Sequence, residues 1–180
     1  MNLTTIVEQV PELILANAIS DVTSIDWNNE DILDFEVEKT DESFVLRMNQ
    51  IDLDSNLTSV EEFDASSSKL PMTLDIKNVQ VLIDWLKSIT NSSFVGSTRI
   101  VSLFPGAYIP NHTNNNNYFS YYTRYHIPLV THSDVKFINT VTGVEDHMSV
   151  GNVYKLSNDV EHQVINNSDI FRIHLIVDLA

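Results

Sequence analysis

Two histidines and one arginine in the second half of the chain have the types and spacing of a metal site. A strand-like run at residues 99–104 ends in a Pro-Gly turn, and His112 follows this turn. His162 comes 50 residues later, and Arg172 lies 10 residues further on, within an apolar run. Neutral imidazole is a common metal ligand, and arginine pairs bidentately with carboxylates. The spacing therefore indicates a metal site with an acid-binding arginine behind it.

These three residues together fit a mononuclear non-haem Fe(II) centre. Such a centre needs imidazoles and oxygen donors on one side of the ion, with positions left open for a bidentate cosubstrate and O2. His112 and His162 are candidates for the imidazoles. A dicarboxylate cosubstrate would also need a buried, permanently charged partner for its distal acid, and Arg172 suits that role. A lone histidine is more often structural, so the prediction of an iron site depends on the two histidines and the arginine occurring together.

Two predicted strands each place an arginine and a histidine on one face. Because side chains alternate along a strand, Arg124 and His126 share a face of the run 121–129. Arg172 and His174 share a face in the same way, opposite an apolar row. Polar rows that simply face water would give the same pattern in a half-exposed sheet. Parity alone leaves both interpretations open.

The elements that position these residues are predicted to be strands joined by turns. Six runs in the second half are short, rich in β-branched and aromatic residues, and separated by turn residues such as Pro105-Gly106. This pattern favours an antiparallel barrel or jelly roll. The predicted strands are 99–104, 121–130, 135–140, 152–156, 160–165 and 171–179.

The first half is predicted to be mixed and to pack outside the barrel. Residues 3–19 carry an apolar stripe at helical spacing, with an interruption at Pro11, and residues 75–89 carry a second such stripe. Short runs at 32–37 and 44–48 alternate as strands do. The Ser-rich tract at 64–69 is predicted to be a flexible connection.

Composition excludes several classes of function. The 180 residues fit one domain, and the formal charge is −15, with 18 of the 25 acidic residues in positions 1–90. Such a surface repels phosphate backbones and anionic lipid, so we expect no nucleic-acid or membrane partner; a basic peptide stays open. The absence of cysteine excludes disulfides and thiolate ligands. No signal peptide or membrane span is recognisable, so we expect a cytoplasmic protein, whose oligomeric state the sequence does not give.

Several segments of residues 94–180 follow one another in an order that is more specific than any single motif. They are Ser102-Leu-Phe-Pro-Gly106 leading to His112-Thr113, then Arg124-Tyr-His126-Ile-Pro-Leu129, then Gly151-Asn-Val before Glu161-His162, and then Arg172 in a strand that closes at Asp178. In these segments the chain resembles the aspartyl/asparaginyl β-hydroxylase-like branch of the Fe(II)/2-oxoglutarate-dependent oxygenases.

The resemblance implies a mainly β fold, a double-stranded β-helix of the jelly-roll or cupin-like kind. Residues 94–180 would form this core and residues 1–93 an N-terminal α/β extension with flanking helices, within one domain. The implied activity is Fe(II)/2-oxoglutarate-dependent hydroxylation of an amino-acid side chain, either Asp or Asn in a peptide or a free amino acid. By this resemblance the iron ligands are His112 and His162. The implied contacts to the distal carboxylate of 2-oxoglutarate are Arg172 and Ser102, and His126 contacts the same cosubstrate. Arg124 is the implied anchor for a carboxylate of either the cosubstrate or the substrate.

The sequence departs from the commoner oxygenase pattern beside the first ligand. Most of that superfamily has His-Xaa-Asp, whereas this chain has His112-Thr113-Asn114. An amide oxygen is a poorer donor to a divalent ion than a carboxylate, so Asn114 is a weak candidate ligand. The β-hydroxylase branch itself works with water in place of that acid. The Asn-rich tract 114–117 is either a plain loop or a lid that faces the substrate.

Three other interpretations compete with this one. A literal His-Xaa-Asp triplet, His132-Ser-Asp134, could pair with His174, but no arginine follows it. A non-catalytic barrel that serves as a binding or structural module would explain the missing acid. A cupin-like isomerase with a different metal would share the barrel but would not need Arg172 at this spacing.

Overall fold

A computed structural model describes residues 2–27, 37–39, 43–50, 56–66, 68–69 and 76–180. The described residues form twelve strands, three α-helices and one short 3-10 helix, Asn117–Ser120. The helices are α1 Glu12–Thr23, α2 Val60–Ser66 and α3 Lys77–Ile89. The strands are β1 Thr4–Gln9, β2 Val37–Lys39, β3 Ser43–Gln50, β4 Ser68–Lys69, β5 Val95–Leu103, β6 Tyr108–His112, β7 Thr123–Val130, β8 Val135–Asn139, β9 Glu145–Asp146, β10 Asn152–Leu156, β11 His162–Asn166 and β12 Arg172–Leu179.

Within the described residues the strands form two antiparallel sheets. The large sheet has the order β1-β10-β7-β12-β5-β3-β2, with β4 paired to β3. The small sheet has the order β6-β11-β8-β9. The chain passes repeatedly between the two sheets, as in a jelly roll.

The two faces of the large sheet bury different sets of side chains. One face packs against α1 and α3 in a cluster that includes Leu82, Leu86 and Leu175. The opposite face packs against the small sheet in a second cluster that includes Leu103, Phe137 and Tyr154. The interior of the barrel therefore lies between the sheets, and the helices cover the outside. This arrangement is the predicted double-stranded β-helix with flanking helices.

Strand β12 lies at the centre of the large sheet, between β7 and β5, and each of its residues is buried. Its odd-numbered residues Ile173, Leu175 and Val177 belong to the helix-facing cluster. Its even-numbered residues, which include Arg172 and His174, therefore face the small sheet. Both rows are covered, so the interpretation in which the polar row faces water is wrong for this strand.

The six strands and the second helix predicted from sequence are confirmed within a few residues at their ends. The second predicted helix corresponds to α3, whose start is capped by a side chain from α1. Asp21 Oδ2 accepts hydrogen bonds from the backbone N–H of Asn78 (2.7 Å) and of Val79 (3.2 Å). Both N–H groups lie in the first turn of α3, where an α-helix supplies no carbonyl four residues back, and that of Val79 is shared with the carbonyl oxygen of Ile76 (3.0 Å). The Asp21 carboxylate therefore ties the two helices together.

Two N-terminal predictions are wrong. Residues 4–9 form strand β1, not a helix, because a run of β-branched residues pairs with β10, and α1 begins only after Pro11. Within the tract predicted to be a flexible connection, residues 64–66 are the end of α2 and residues 68–69 form β4. Phe63 anchors α2 by burial against the rings of Tyr118 and Tyr122.

The N-terminal half also extends the barrel wall. Strand β1 adds to one edge of the large sheet through β10, and β3 adds to β5 on the other side. The predicted strand at 44–48 is confirmed as part of β3, whereas residues 32–36 lie outside the described residues. None of the described helices is both apolar and long enough to cross a bilayer.

Candidate metal and cosubstrate site

His112 and His162 meet on the small sheet. His112 is the last residue of β6, His162 is the first of β11, and the two are directly paired in the antiparallel register. Their ring centroids are 4.4 Å apart, with the rings tilted by 52°. His162 is 2% exposed, whereas His112 is partly exposed. The structure thus brings together the two histidines that the sequence separates by 50 residues.

Both imidazoles are held in the same way. Nδ1 of His112 lies 2.8 Å from the carbonyl oxygen of Pro110, and Nδ1 of His162 lies 2.8 Å from that of Val160. A carbonyl only accepts, so each Nδ1 carries the proton and each Nε2 keeps its lone pair. Burial and the neighbouring His112 both lower the pKa of His162, which favours the neutral form that binds metals. A hydrogen bond from one ring nitrogen to a carbonyl is the usual support of a metal-binding histidine.

A third protein ligand is not present near this pair in the part of the chain that the structure describes. No group of three or more His, Cys, Asp or Glu residues there could hold a metal ion. The Oδ1 atom of Asn114 accepts a hydrogen bond from Nη1 of Arg124 at 2.9 Å, so it is already engaged. The donor set therefore fits an ion with two imidazole ligands whose other positions go to water or a cosubstrate.

Arg172 is buried in the barrel interior without an acidic partner among the described residues. It is 1% exposed, and its Nη2 lies 2.8 Å from Nδ1 of His174. Its Nε and Nη1 have no hydrogen-bond partner. Burial lowers the pKa of Arg172 to about 9, so the guanidinium is still charged at neutral pH. A buried cation with two unpaired nitrogen donors is suited to an anionic ligand.

His126 and His174 surround this guanidinium. Their ring centroids are 5.8 Å apart, and Phe137 from the small sheet packs against His126, His174 and the Arg172 guanidinium. Both ring nitrogens of His126 and the Nε2 of His174 are buried without partners. Buried polar atoms are normally hydrogen-bonded, so these unpaired nitrogen atoms suit a ligand rich in oxygen acceptors. A small dicarboxylate such as 2-oxoglutarate fits its chemistry.

The same burial predicts that the protein is destabilised by acid. Burial, followed by the charge of Arg172, lowers the pKa of both His126 and His174 well below the ordinary 6.5. Between these lowered pKa values and pH 6.5, the two histidines are protonated in the unfolded chain and neutral in the folded one. The free energy of unfolding therefore has its full value above about pH 6.5. Below that pH it falls by up to about 1.4 kcal/mol per pH unit for each histidine. Urea unfolding of the wild type at pH 7.5 and 5.5 measures this loss. His126→Gln should reduce the loss and His132→Gln should not; an equal loss in all three proteins would contradict the prediction.

Arg124 is bonded to a carboxylate of the protein itself. Its Nε and Nη2 donate to Oδ1 and Oδ2 of Asp178, both at 2.8 Å, and both residues are buried. Its Nη1 donates to Asn114, and its guanidinium lies 4.6 Å from the centroid of the Phe119 ring. The expectation that Arg124 anchors a carboxylate of a ligand therefore needs correction, because Asp178 occupies that position.

Ser102 does not lie with Arg172. Residues directly opposite in an antiparallel pair share a face, and Ser102 is opposite Ile173, whereas Arg172 is opposite Leu103. Ile173 belongs to the helix-facing cluster, so Ser102 lies on the outer face of the large sheet. The structure does not support the predicted contact of Ser102 with the distal carboxylate.

The competing triplet is not at this site. His132 is largely exposed in a turn, with Nδ1 3.4 Å from Oδ2 of Asp134, whereas His174 is fully buried.

Sequence reasoning missed Phe137 and Asp178 as members of the barrel interior. Parity could have found Asp178, which falls on the same face as Arg172 and His174. Parity within its own strand did not predict that Phe137 lies next to Arg172, because that contact depends on how the two sheets pack against each other.

The fold and this interior define a double-stranded β-helix protein with the architecture of the 2-oxoglutarate- and Fe(II)-dependent oxygenases. The model of the aspartyl/asparaginyl β-hydroxylase family matches residues 21–180. The chain belongs to this family. No curated protein matches the chain at a significant level.

Solved structures share the fold at low sequence identity. An oxidoreductase of the 2OG-Fe(II) oxygenase family from Burkholderia pseudomallei is 13% identical, with a TM-score of 0.65 over 99% of this chain and 84% of that chain. A prolyl-4-hydroxylase from Pseudomonas putida is 12% identical, with a TM-score of 0.57 over 99% and 92%. The viral collagen prolyl hydroxylase of Paramecium Bursaria Chlorella virus-1, in complex with 2OG, is 8% identical, with a TM-score of 0.53 over 99% and 96%.

Proposed function

We propose that this protein is an Fe(II)/2-oxoglutarate-dependent dioxygenase that hydroxylates an amino-acid side chain, in a peptide or in a free amino acid. The single observation that supports this most is the combination inside one barrel of the paired His112 and His162 with the unpaired, buried Arg172. Family membership and the shared fold point the same way.

Each part of the interior has a separate task in this proposal. His112 and His162 hold Fe(II) through their Nε2 atoms, because their Nδ1 atoms donate to backbone carbonyls. Arg172 binds the distal carboxylate of 2-oxoglutarate with its free Nε and Nη1, and His126 contacts the same cosubstrate. Bound together, Fe(II) and 2-oxoglutarate supply O2 activation with oxidative decarboxylation, which allows attack on an unactivated C–H bond. Phe137 and the apolar residues around it exclude water from the cosubstrate.

An anaerobic titration tests this proposal. Addition of Fe(II) and 2-oxoglutarate to the wild-type protein is expected to give a visible charge-transfer absorption band. His162→Ala should abolish this band, because one of the two protein ligands is removed. The matched control is His132→Ala, an exposed histidine away from the site, which should leave the band unchanged.

If the wild-type protein gives no charge-transfer band in this titration, the proposal is overturned. That result would favour the alternative of a non-catalytic barrel that acts as a binding or structural module. The observation that keeps this alternative open is the absence of a third protein ligand among the described residues.

A further inference from the structure

The segment that follows His112 is fixed to the large sheet through the side chain of Asn114. Oδ1 of Asn114 accepts a hydrogen bond of 2.9 Å from Nη1 of Arg124. Because a guanidinium only donates, this contact settles the orientation of the amide, with Oδ1 towards Arg124 and Nδ2 away from it. Arg124 lies on β7 of the large sheet, whereas His112 is the last residue of β6 on the small sheet. The hydrogen bond therefore joins the two sheets close to the histidine pair.

The guanidinium of Arg124 is itself held in one geometry. Its Nε and Nη2 donate to the two carboxylate oxygens of Asp178, both at 2.8 Å, and the Arg124 and Asp178 side chains are both buried. The ring of Phe119, which belongs to the same segment as Asn114, has its centroid 4.6 Å from Cζ of Arg124. Bidentate arginine–carboxylate pairs are geometrically specific. Asn114 is thus bonded to a fixed point of the large sheet.

The backbone of Asn114 is anchored as well. Its N–H donates to the carbonyl oxygen of Asn158 at 2.7 Å, and Asn158 lies four residues before His162. Only Thr113 separates Asn114 from His112, so the Cα atoms of these two residues are at most about 8 Å apart. Asn114 therefore ties the segment after the first histidine to the segment before the second.

We infer that Asn114 is a positioning residue for the histidine pair and not a metal ligand. It transmits the fixed geometry of the Arg124–Asp178 pair to the backbone at His112. This histidine needs such support, because it is partly exposed and ends β6, the outermost strand of the small sheet in the described residues. The consequence for metal binding rests on the proposed function: two imidazoles that are already in place lose less freedom when they bind an ion.

Titration of Fe(II) under argon into the metal-free protein measures this consequence. Asn114→Ala should weaken Fe(II) binding at least about tenfold, which is the smaller of the effects seen when an outer partner of a metal site is removed. The matched control is Asn115→Ala, an exposed asparagine of the same loop, which should bind Fe(II) as the wild type does. Equal Fe(II) affinities of the wild type and Asn114→Ala would overturn the inference.

A second background separates positioning from coordination. In the double variant Arg124→Met with Asp178→Leu, Asn114 has lost its anchor, so a further Asn114→Ala substitution should weaken Fe(II) binding no more. A metal ligand at position 114 would instead be missed in both backgrounds. An equal further loss in the double variant would therefore overturn the positioning role in favour of direct coordination.

The metal-free protein provides a readout that does not depend on the proposed function. In Asn114→Ala the imidazole nitrogen resonances of His112 should shift or broaden, because the ring samples more than one orientation. Those of the exposed His132 should stay unchanged, and Asn115→Ala should leave both histidines as in the wild type.

This readout distinguishes failure of the inference from failure of the proposed function. Unchanged His112 resonances in Asn114→Ala overturn the inference, even when the wild type binds Fe(II) and 2-oxoglutarate normally. Altered His112 resonances, in a wild type that takes up no Fe(II), overturn the dioxygenase and retain Asn114 as the residue that positions the histidine pair.

Discussion

Arg172→Met is expected to weaken 2-oxoglutarate binding by about 30-fold or more while Fe(II) binding to the two histidines is retained. The buried guanidinium is the proposed partner of the distal carboxylate, and truncating one member of a buried charge pair costs about 2–5 kcal/mol of binding free energy. Arg172 lies on the large sheet and the two histidines on the small sheet, so the metal ligands should be undisturbed. Separate calorimetric titrations with 2-oxoglutarate and with Fe(II) under argon measure the two effects.

The same substitution should raise the stability of the ligand-free protein by about 1–3 kcal/mol. Nε and Nη1 of Arg172 are buried without partners in the described structure, and methionine fills similar space without polar atoms to satisfy. Urea unfolding measures the change, with Lys155→Met, an exposed cation on the same sheet, as the control. A loss of cosubstrate binding together with a loss of stability would indicate misfolding and would contradict the assigned role of Arg172.

Asp178→Leu is expected to lower the free energy of unfolding by about 3–5 kcal/mol. Asp178 is 0% exposed and receives two hydrogen bonds of 2.8 Å from Arg124, so its loss leaves a buried guanidinium without a counter-charge. The double variant Arg124→Met with Asp178→Leu removes both charges and should regain most of the loss. Urea or thermal unfolding of the wild type, both single variants and the double variant completes the cycle.

An additive result in this cycle would contradict the assigned pairing. If the two changes in the free energy of unfolding simply add, Arg124 and Asp178 contribute to stability independently of each other. That would disagree with the bidentate hydrogen bonding that joins them between strands β7 and β12. A useful second readout is Asn114, whose amide oxygen is held by the same guanidinium. In Arg124→Met its side-chain amide resonances should shift, whereas those of the distant Asn166 should not.

The sequence predicted the fold and the two histidines because those signals lie within single segments and in the order of the segments along the chain. Alternation along β12 placed Arg172 and His174 on one face whatever the neighbouring strands were. The ordered segments from residue 102 to residue 178 predicted the barrel, and the family match confirms that resemblance. Both histidines came from this ordered pattern, and the antiparallel register of β6 with β11 then pairs them directly.

The predictions that went wrong needed information from between the strands. Ser102 shares a segment with the site motif, but its face is fixed by its register against Ile173, which no single strand reveals. Arg124 had the right type for binding a carboxylate, but sequence spacing did not show that Asp178, on the neighbouring strand, would supply one. The β1 error has a similar origin, because a run that suits either a helix or a strand is decided by the free edge of β10.

The proposed site is divided between the two sheets, with the metal ligands on the small sheet and Arg172 on the large one. A dicarboxylate that chelates a metal at one end and meets Arg172 at the other would cross-link the sheets non-covalently. Because such a ligand binds only the folded chain, mass action adds to the folding free energy, by about 2.7 kcal/mol at a free ligand concentration 100 times the dissociation constant. The melting temperature should therefore rise more with Fe(II) and 2-oxoglutarate together than the sum of their separate effects.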